Sequence, residues 1–185
     1  MKILITAFGN FPGVEENPSE LLLAGWSHSG HEVVTQVLPV EYAFCESWAR
    51  QNISLDIDYV IHLGVAVNRM KNNLETIAQN KCGVNQDAAG EAHEQVIQIE
   101  GDPQYETGID TKILQNKLNE CGFGTEISND AGDYLCNFIY YKTLEFTASL
   151  ETRALFVHIP PLSEITLEQQ NTFLTALIDC LGQIK

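Results

Sequence analysis

Basic residues are scarce in this chain: 10 Lys and Arg stand against 25 Asp and Glu, a formal net charge of −15 over 185 residues. So acidic a surface repels phosphate at long range, which argues against a nucleic-acid binder or a protein held on an anionic membrane. Long hydrophobic runs are missing as well. No stretch approaches the roughly 18 apolar residues of a membrane span. The apolar start at Met1 to Ile5 is too short for a secretory leader, with Thr6 and Asn10 close behind it. Cysteine is sparse and odd in number (Cys45, Cys82, Cys121, Cys136 and Cys180), widely spaced and without a CxxC pair. That excludes a disulfide framework and gives zinc no motif. His28, His31 and His93 lie in polar segments, fit no metal spacing and read as exposed, and no glycine-rich loop offers to cradle a phosphate. These absences predict a cytoplasmic protein without a metal site. What is present is enough apolar content, 44% of residues, to build a core in one domain over 1–185.

The order of elements follows from hydrophobic runs and their stops. Lys2 to Phe8 reads as a buried strand leading into the turn-rich loop Gly9-Asn10-Phe11-Pro12-Gly13. Asn17-Pro18 opens a helix, with Asn17 as cap and Pro18 in the first turn. A strand over Val33 to Val40, a helix over Tyr42 to Gln51 and a strand over Asp58 to Gly64 come next. The last of these is apolar on both faces, as an interior parallel strand is. His62 within it reads as a core histidine with hydrogen-bond partners. Leu74 to Ala78 is a short strand, Lys81 to Gly101 is polar loop with a hairpin-like piece at Val96 to Ile99, and Ile109 to Glu120 is an amphipathic helix closed by Gly122. A short strand at Glu126 to Ser128, an apolar helix over Tyr134 to Thr147, a strand over Arg153 to Ile159 and a helix over Leu167 to Leu181 complete the chain. This alternation predicts a three-layer α/β/α sandwich around a mostly parallel, partly mixed sheet, with ligands at the C-terminal ends of strands.

Three segments at such ends carry residues able to do chemistry. In Ser128-Asn129-Asp130-Ala131-Gly132-Asp133-Tyr134-Leu135-Cys136-Asn137 a strand enters a glycine turn and a helix. With Asp133 as N-cap, Cys136 falls in the first helical turn, where unpaired N–H groups and the helix dipole favour a thiolate with a lowered pKa and can bind an oxyanion. His158 ends an apolar strand, and if the strands flanking the cysteine's helix are neighbours it can reach Cys136 and serve as base and acid. Glu75, in Asn73-Leu74-Glu75-Thr76-Ile77-Ala78, is an acid among apolar residues that can orient a histidine or face solvent at a strand edge. Spacing alone does not select it over the other acids. Arg69, Lys71 and Lys81 read as a solvated face.

Taken together, these segments resemble the pyroglutamyl peptidase I family, the cysteine peptidases that remove N-terminal pyroglutamate. The likeness covers nearly the whole chain. It is strongest at Ser128 to Asn137 and at Phe156-Val157-His158-Ile159-Pro160, and weaker at Asn73 to Asn80 and at Thr6 to Gly13 with Asn17-Pro18. The resemblance implies Cys136 as nucleophile, His158 as general base and acid, Glu75 as the residue orienting the histidine, and Phe8 and Phe11 as two aromatics enclosing the lactam ring. It also implies a fold akin to the purine nucleoside phosphorylases, no metal or cofactor, a peptide or small amide bearing pyroglutamate as substrate, and association into homo-oligomers, tetramers in several members.

The chain departs from the family around the pocket and not at the three catalytic positions. Asn10 and Pro12 replace a proline and a glycine of the usual opening loop, and Val65 follows Gly64 where some members carry a glutamine. Asn85 stands where many bacterial members have an arginine, and Gly83 to Glu91 matches the bacterial pattern poorly. Val157 to Leu162 and Leu74-Glu75 are nearer to the animal-type members, and the chain is shorter around its final loop. These changes motivate the alternatives: a cysteine amidase or esterase for another acyl group, or a catalytically inactive peptidase-like binding protein. A nucleoside-binding protein of the same fold class ranks below both.

Overall fold

The structure is a computed structural model that describes residues 1–10 and 16–184. Phe11 therefore lies outside the described residues. Thirteen elements follow in order: β1 (Lys2–Phe8), α1 (Pro18–Leu23), β2 (Glu32–Leu38), α2 (Tyr42–Asn52), β3 (Tyr59–Val65), β4 (Asn72–Glu75), β5 (Ile77–Gln79), β6 (Gln104–Glu106), α3 (Thr111–Glu120), β7 (Thr125–Ser128), α4 (Leu135–Thr147), β8 (Arg153–Ile159) and α5 (Leu167–Leu181). Six strands form one sheet in the order β2-β1-β3-β8-β4-β7. The first four run parallel; β4 pairs antiparallel with β8 and parallel with β7, so the last two strands point the other way. The three-layer, mostly parallel and partly mixed sandwich is the one expected. No described helix is long and apolar enough to cross a membrane.

The period-2 alternation of the strands sorts side chains into two cores. Ile3, Ile5 and Ala7 of β1, Ile61 and Leu63 of β3, and Leu155, Val157 and Ile159 of β8 pack with Leu114 and Leu118 of α3 and Leu174, Leu177 and Ile178 of α5. The intervening residues Leu4, Phe8, Val60, Ala154 and Phe156 face Trp48 of α2 and Leu135, Phe138 and Ile139 of α4. By the same alternation His62 and His158 fall on the α2–α4 face. His62 is 1% exposed and sits between Thr6 Oγ1, 2.6 Å from its Nδ1, and Thr143 Oγ1, 2.9 Å from its Nε2. Burial pushes its pKa down to about 3, so it is the neutral, hydrogen-bonded core histidine the sequence implied.

Four expectations are corrected. Leu74 to Ala78 is not one strand: β4 joins the main sheet, whereas β5 leaves it to pair antiparallel with β6, Ala78 opposite Tyr105. Val96 to Ile99 forms no strand, because the Asn80 side chain takes the place of a strand partner. Its Oδ1 accepts from the Gln98 N–H at 2.9 Å and its Nδ2 donates to the Gln98 carbonyl at 2.8 Å. The strands flanking α4 are not neighbours, since β4 lies between β7 and β8. Finally, the N-cap of α4 is Tyr134, not Asp133. The Asp133 carbonyl instead accepts from the Gly83 N–H at 2.6 Å.

Candidate active site

The C-terminal ends of β1, β3 and β8 converge with the N-terminus of α4 on one small cavity of about 210 Å³. Phe8, Val40, Val65, Ala131 and Leu135 supply its apolar wall; Asn17, Asp133, Tyr134, Cys136 and His158 are the side chains able to hydrogen-bond or react. Its volume lies below the ~300–1,000 Å³ of sites for drug-sized ligands, which suits a single small ring. Larger grooves exist, such as one of about 600 Å³ beside β6 and the end of α4, but its lining holds no cysteine or histidine.

Cys136 is the second residue of α4 and half-buried. A β-carbon placed on Gly64 would lie 2.9 Å from its Sγ. Gly64 in turn pairs with His158 in the β3–β8 register, and adjacent strands are ~4.8 Å apart. The sulfur thus sits over β3 immediately beside the His158 strand end, in space that only a glycine leaves free. Phe156 closes the same space from below, its ring centroid 4.7 Å from that of His158. The amides of Leu135, Cys136 and Asn137 begin the helix, where no carbonyl one turn earlier is available to them. Among the described residues they donate to no backbone acceptor, and so they remain free to bind an oxyanion. The buried Asn137 side chain fixes this turn against β5: it accepts from the Gln79 N–H at 2.9 Å and donates to the Gln79 and Lys81 carbonyls at 2.7 and 3.0 Å.

His158, 5% exposed, and Glu75, fully buried, are joined by a 2.7 Å bond between Nδ1 and Oε1. An ionised carboxylate can only accept, so Nδ1 carries the proton and Nε2 is left for the cysteine. Glu75 reaches the histidine because β4 is inserted beside β8, with Glu75 opposite Phe156 and Asn73 opposite His158. The Tyr140 hydroxyl donates to the Glu75 carbonyl at 2.9 Å, holding the end of β4.

The thiol does not have the lowered pKa its place at a helix start implied. Burial pushes it up to about 12, aided by the negative charge of Glu75 and only partly opposed by Arg69. Desolvation of the anion outweighs the helix dipole here. The thiol is therefore the protonated form near neutral pH.

Sequence reasoning missed Arg69. Lys71 and Lys81 do lie on solvated surface, paired with Glu126 and Asp130. Arg69 instead turns inward, Nη1 donating to Glu75 Oε1 at 2.6 Å and Nη2 to Ser128 Oγ at 3.2 Å and the Asp130 carbonyl at 2.8 Å. Its spacing from Glu75 carried no signal, because the two meet only through a loop. Asn17 was legible as a helix cap, and its Oδ1 does accept from the Ser19 N–H at 3.0 Å. The same side chain also donates to the Gly9 carbonyl at 2.9 Å and lines the cavity.

A half-buried cysteine at a helix start, a histidine beside it and a buried glutamate on that histidine, set in an α/β/α sandwich, define a cysteine hydrolase of the acyl-transfer type. The family model described as pyroglutamyl peptidase matches residues 1–179. The chain is 30% identical to the pyrrolidone-carboxylate peptidase of Pyrococcus furiosus over 91% of its own length and 85% of the relative's. It is also 30% identical to pyrrolidone-carboxylate peptidase 1 of Caldanaerobacter subterraneus over 100% and 95% of the two chains. Among solved structures, a mutant pyrrolidone carboxyl peptidase from P. furiosus superposes with a TM-score of 0.90 at 25% identity over 99% of both chains. The enzyme of Fervidobacterium islandicum does so with 0.88 at 27% identity over 100% of both. The chain belongs to the pyroglutamyl peptidase family.

Proposed function

We propose that Cys136, His158 and Glu75 carry out the family's reaction in this chain: hydrolysis of the amide that joins an N-terminal 5-oxoproline to the next residue. Cys136 Sγ attacks the acyl carbon as its proton passes to His158 Nε2, and the carbonyl oxygen becomes an oxyanion facing the first-turn amides of α4. Collapse of this intermediate breaks the C–N bond; His158 gives its proton to the departing amine, leaving pyroglutamyl thioester on Cys136. Water then attacks the thioester, its proton goes to His158, and pyroglutamic acid leaves as the thiol is re-formed. Glu75 holds Nδ1–H throughout and offsets the imidazolium charge.

The observation that supports this reading above the others is the buried Glu75–His158 bond, made by a histidine that lines the same cavity as a cysteine. A carboxylate with no exposure has no packing role that an apolar residue would not fill better, which counts against a merely ligand-binding protein. The lactam is neutral and cyclic, and the Phe8 wall with Val40 and Leu135 suits one of its faces. Phe11 is proposed for the other. The free cysteines favour a reducing compartment, and we place the enzyme in the cytoplasm as a homo-oligomer, a state that light scattering measures directly.

The test is release of a fluorogenic amine from its pyroglutamyl amide. Wild type turns over, and Cys136→Ala and His158→Ala fall by the 10⁴-fold or more typical of removing a triad member. A folded Cys136→Ala variant with wild-type turnover overturns the assignment. Failure of the wild type on pyroglutamyl amides but not on other acyl amides shifts it to another acyl group.

A further inference from the structure

We infer that Arg69 is a positioning residue for the hydrolytic reaction, locking the Glu75 carboxylate and the cysteine-bearing turn into one rigid unit. The inference rests on the roles of Cys136, His158 and Glu75 proposed above. Arg69 does not line the cavity, so it does not touch the substrate. Its guanidinium instead bridges three elements. From the loop between β3 and β4 it reaches Glu75 at the end of β4, Ser128 at the end of β7, and the Asp130 carbonyl in the turn that leads into Cys136.

The way Glu75 is bonded gives this bridge its consequence. Both Arg69 Nη1 and His158 Nδ1 meet the same oxygen, Oε1, at 2.6 and 2.7 Å. The other oxygen, Oε2, is buried and has no hydrogen-bond partner among the described residues. A carboxylate held by the histidine alone could turn about its last torsion and exchange the two oxygens, taking the imidazole with it. The guanidinium prevents that turn, because it is itself fixed at two further acceptors. It also supplies the positive charge facing a carboxylate that is fully buried, and an uncompensated buried charge is costly.

Removing Arg69 should act in two ways. Looser imidazole geometry lowers kcat with little change in KM, by about 10- to 100-fold if the loss matches that seen when the outer partner of a metal-bound histidine is removed. Removal of a cation beside Glu75 and His158 favours protonation of that pair, which moves the acid limb of the rate profile to higher pH. The other titratable groups facing the pair are Cys136 and Tyr140 from α4, both neutral at that limb because burial pushes them up, and Asp133 and Tyr134, which line the cavity with His158 and are the same in wild type and variant. From the β7–α4 turn come Asp130 and its partner Lys81, whose charges offset each other.

The experiment compares Arg69→Met and Arg69→Lys with wild type in kcat, KM, pH profile and melting temperature, with low-millimolar guanidinium chloride added in a parallel series. Arg69→Met is expected to lose kcat, shift the acid limb upward and recover part of its rate with guanidinium. Arg69→Lys, which keeps the charge but cannot span three acceptors, is expected to retain the limb and lose kcat. A folded Arg69→Met with unchanged kcat and unchanged acid limb overturns the inference, as does a melting-temperature loss with neither kinetic effect. Glu75→Gln and His158→Ala run alongside: if those two leave turnover intact, the triad reading fails, whatever Arg69 does.

Discussion

Gly64→Ala is the sharpest probe of how the fold places the nucleophile. The β-carbon it adds would stand 2.9 Å from Cys136 Sγ, 2.8 Å from Phe156 Cζ and 3.1 Å from Phe156 Cε1. Non-bonded carbons rest at ~3.5–4.0 Å, so something must retreat by well over half an ångström. Phe156 cannot do so cheaply: its ring is fully buried between Tyr140, His62 and His158. Relieving that contact takes a shift of the β3 backbone, and the cysteine at the open wall is displaced as well. Overpacking of this kind costs ~1–3 kcal/mol, which for a chain of this size lowers the melting temperature by roughly 2–4 °C per kcal/mol. A displacement approaching 1 Å at a reacting atom costs about 100-fold in rate. The expected result is a folded protein, a few degrees less stable, with kcat/KM for the pyroglutamyl amide down by roughly two orders of magnitude. Gly64→Ala with wild-type kcat/KM would refute the placement of Sγ over Gly64, and with it the argument that joins Cys136 to His158.

The two remaining predictions concern ionisation. Because burial pushes the Cys136 thiol up to about 12 and Cys180 up to about 11, whereas Cys121 is exposed, iodoacetamide near pH 7 should modify Cys121 ahead of Cys136 in the free enzyme. Peptide mapping that finds Cys136 labelled first would mean that its thiol rests ionised and would overturn the reading of a raised thiol pKa. His62, held down to about 3 when folded against ~6.5 unfolded, takes up a proton on unfolding between those values. Stability therefore falls as pH drops through that window. Linkage puts its share at about 2 kcal/mol between pH 7 and pH 5. Urea titrations across that range should show the loss in wild type and a flatter profile in His62→Gln; equal slopes would mean the ring is not the group responsible.

Much of this molecule was legible before its structure. Contiguous apolar runs marked β1, β3 and β8, since strands buried on both faces must be apolar throughout. The bounds of α5 match the reading from Leu167 to Leu181, because Thr166 and Gln169 form a capping box and Leu174, Leu177, Ile178 and Leu181 fall on one buried face. Cys136 at a helix start and His158 at a strand end were visible for the same reason: local signals of turn, cap and period fix where a residue sits within its own element. The divided fate of Leu74 to Ala78 was not visible. A five-residue run does not say which sheet each half joins, and Asn80 standing in for a strand partner at Gln98 leaves no periodic trace.

The chain's own order of residues determined its layers, its helix starts and the chemical inventory of cysteine, histidine and carboxylate, because these depend on neighbours a few positions apart. Only the tertiary structure decided which acid serves the histidine and which cation serves that acid. β4 had to slip between β7 and β8 to bring Glu75 to His158 across 83 positions of sequence, and a loop had to turn Arg69 inward to meet Glu75 and Asp130. The ionisation of Cys136 was likewise decided in three dimensions. A helix N-terminus favours the thiolate locally, but how much water the packed chain leaves around the sulfur sets the balance, and here desolvation prevails.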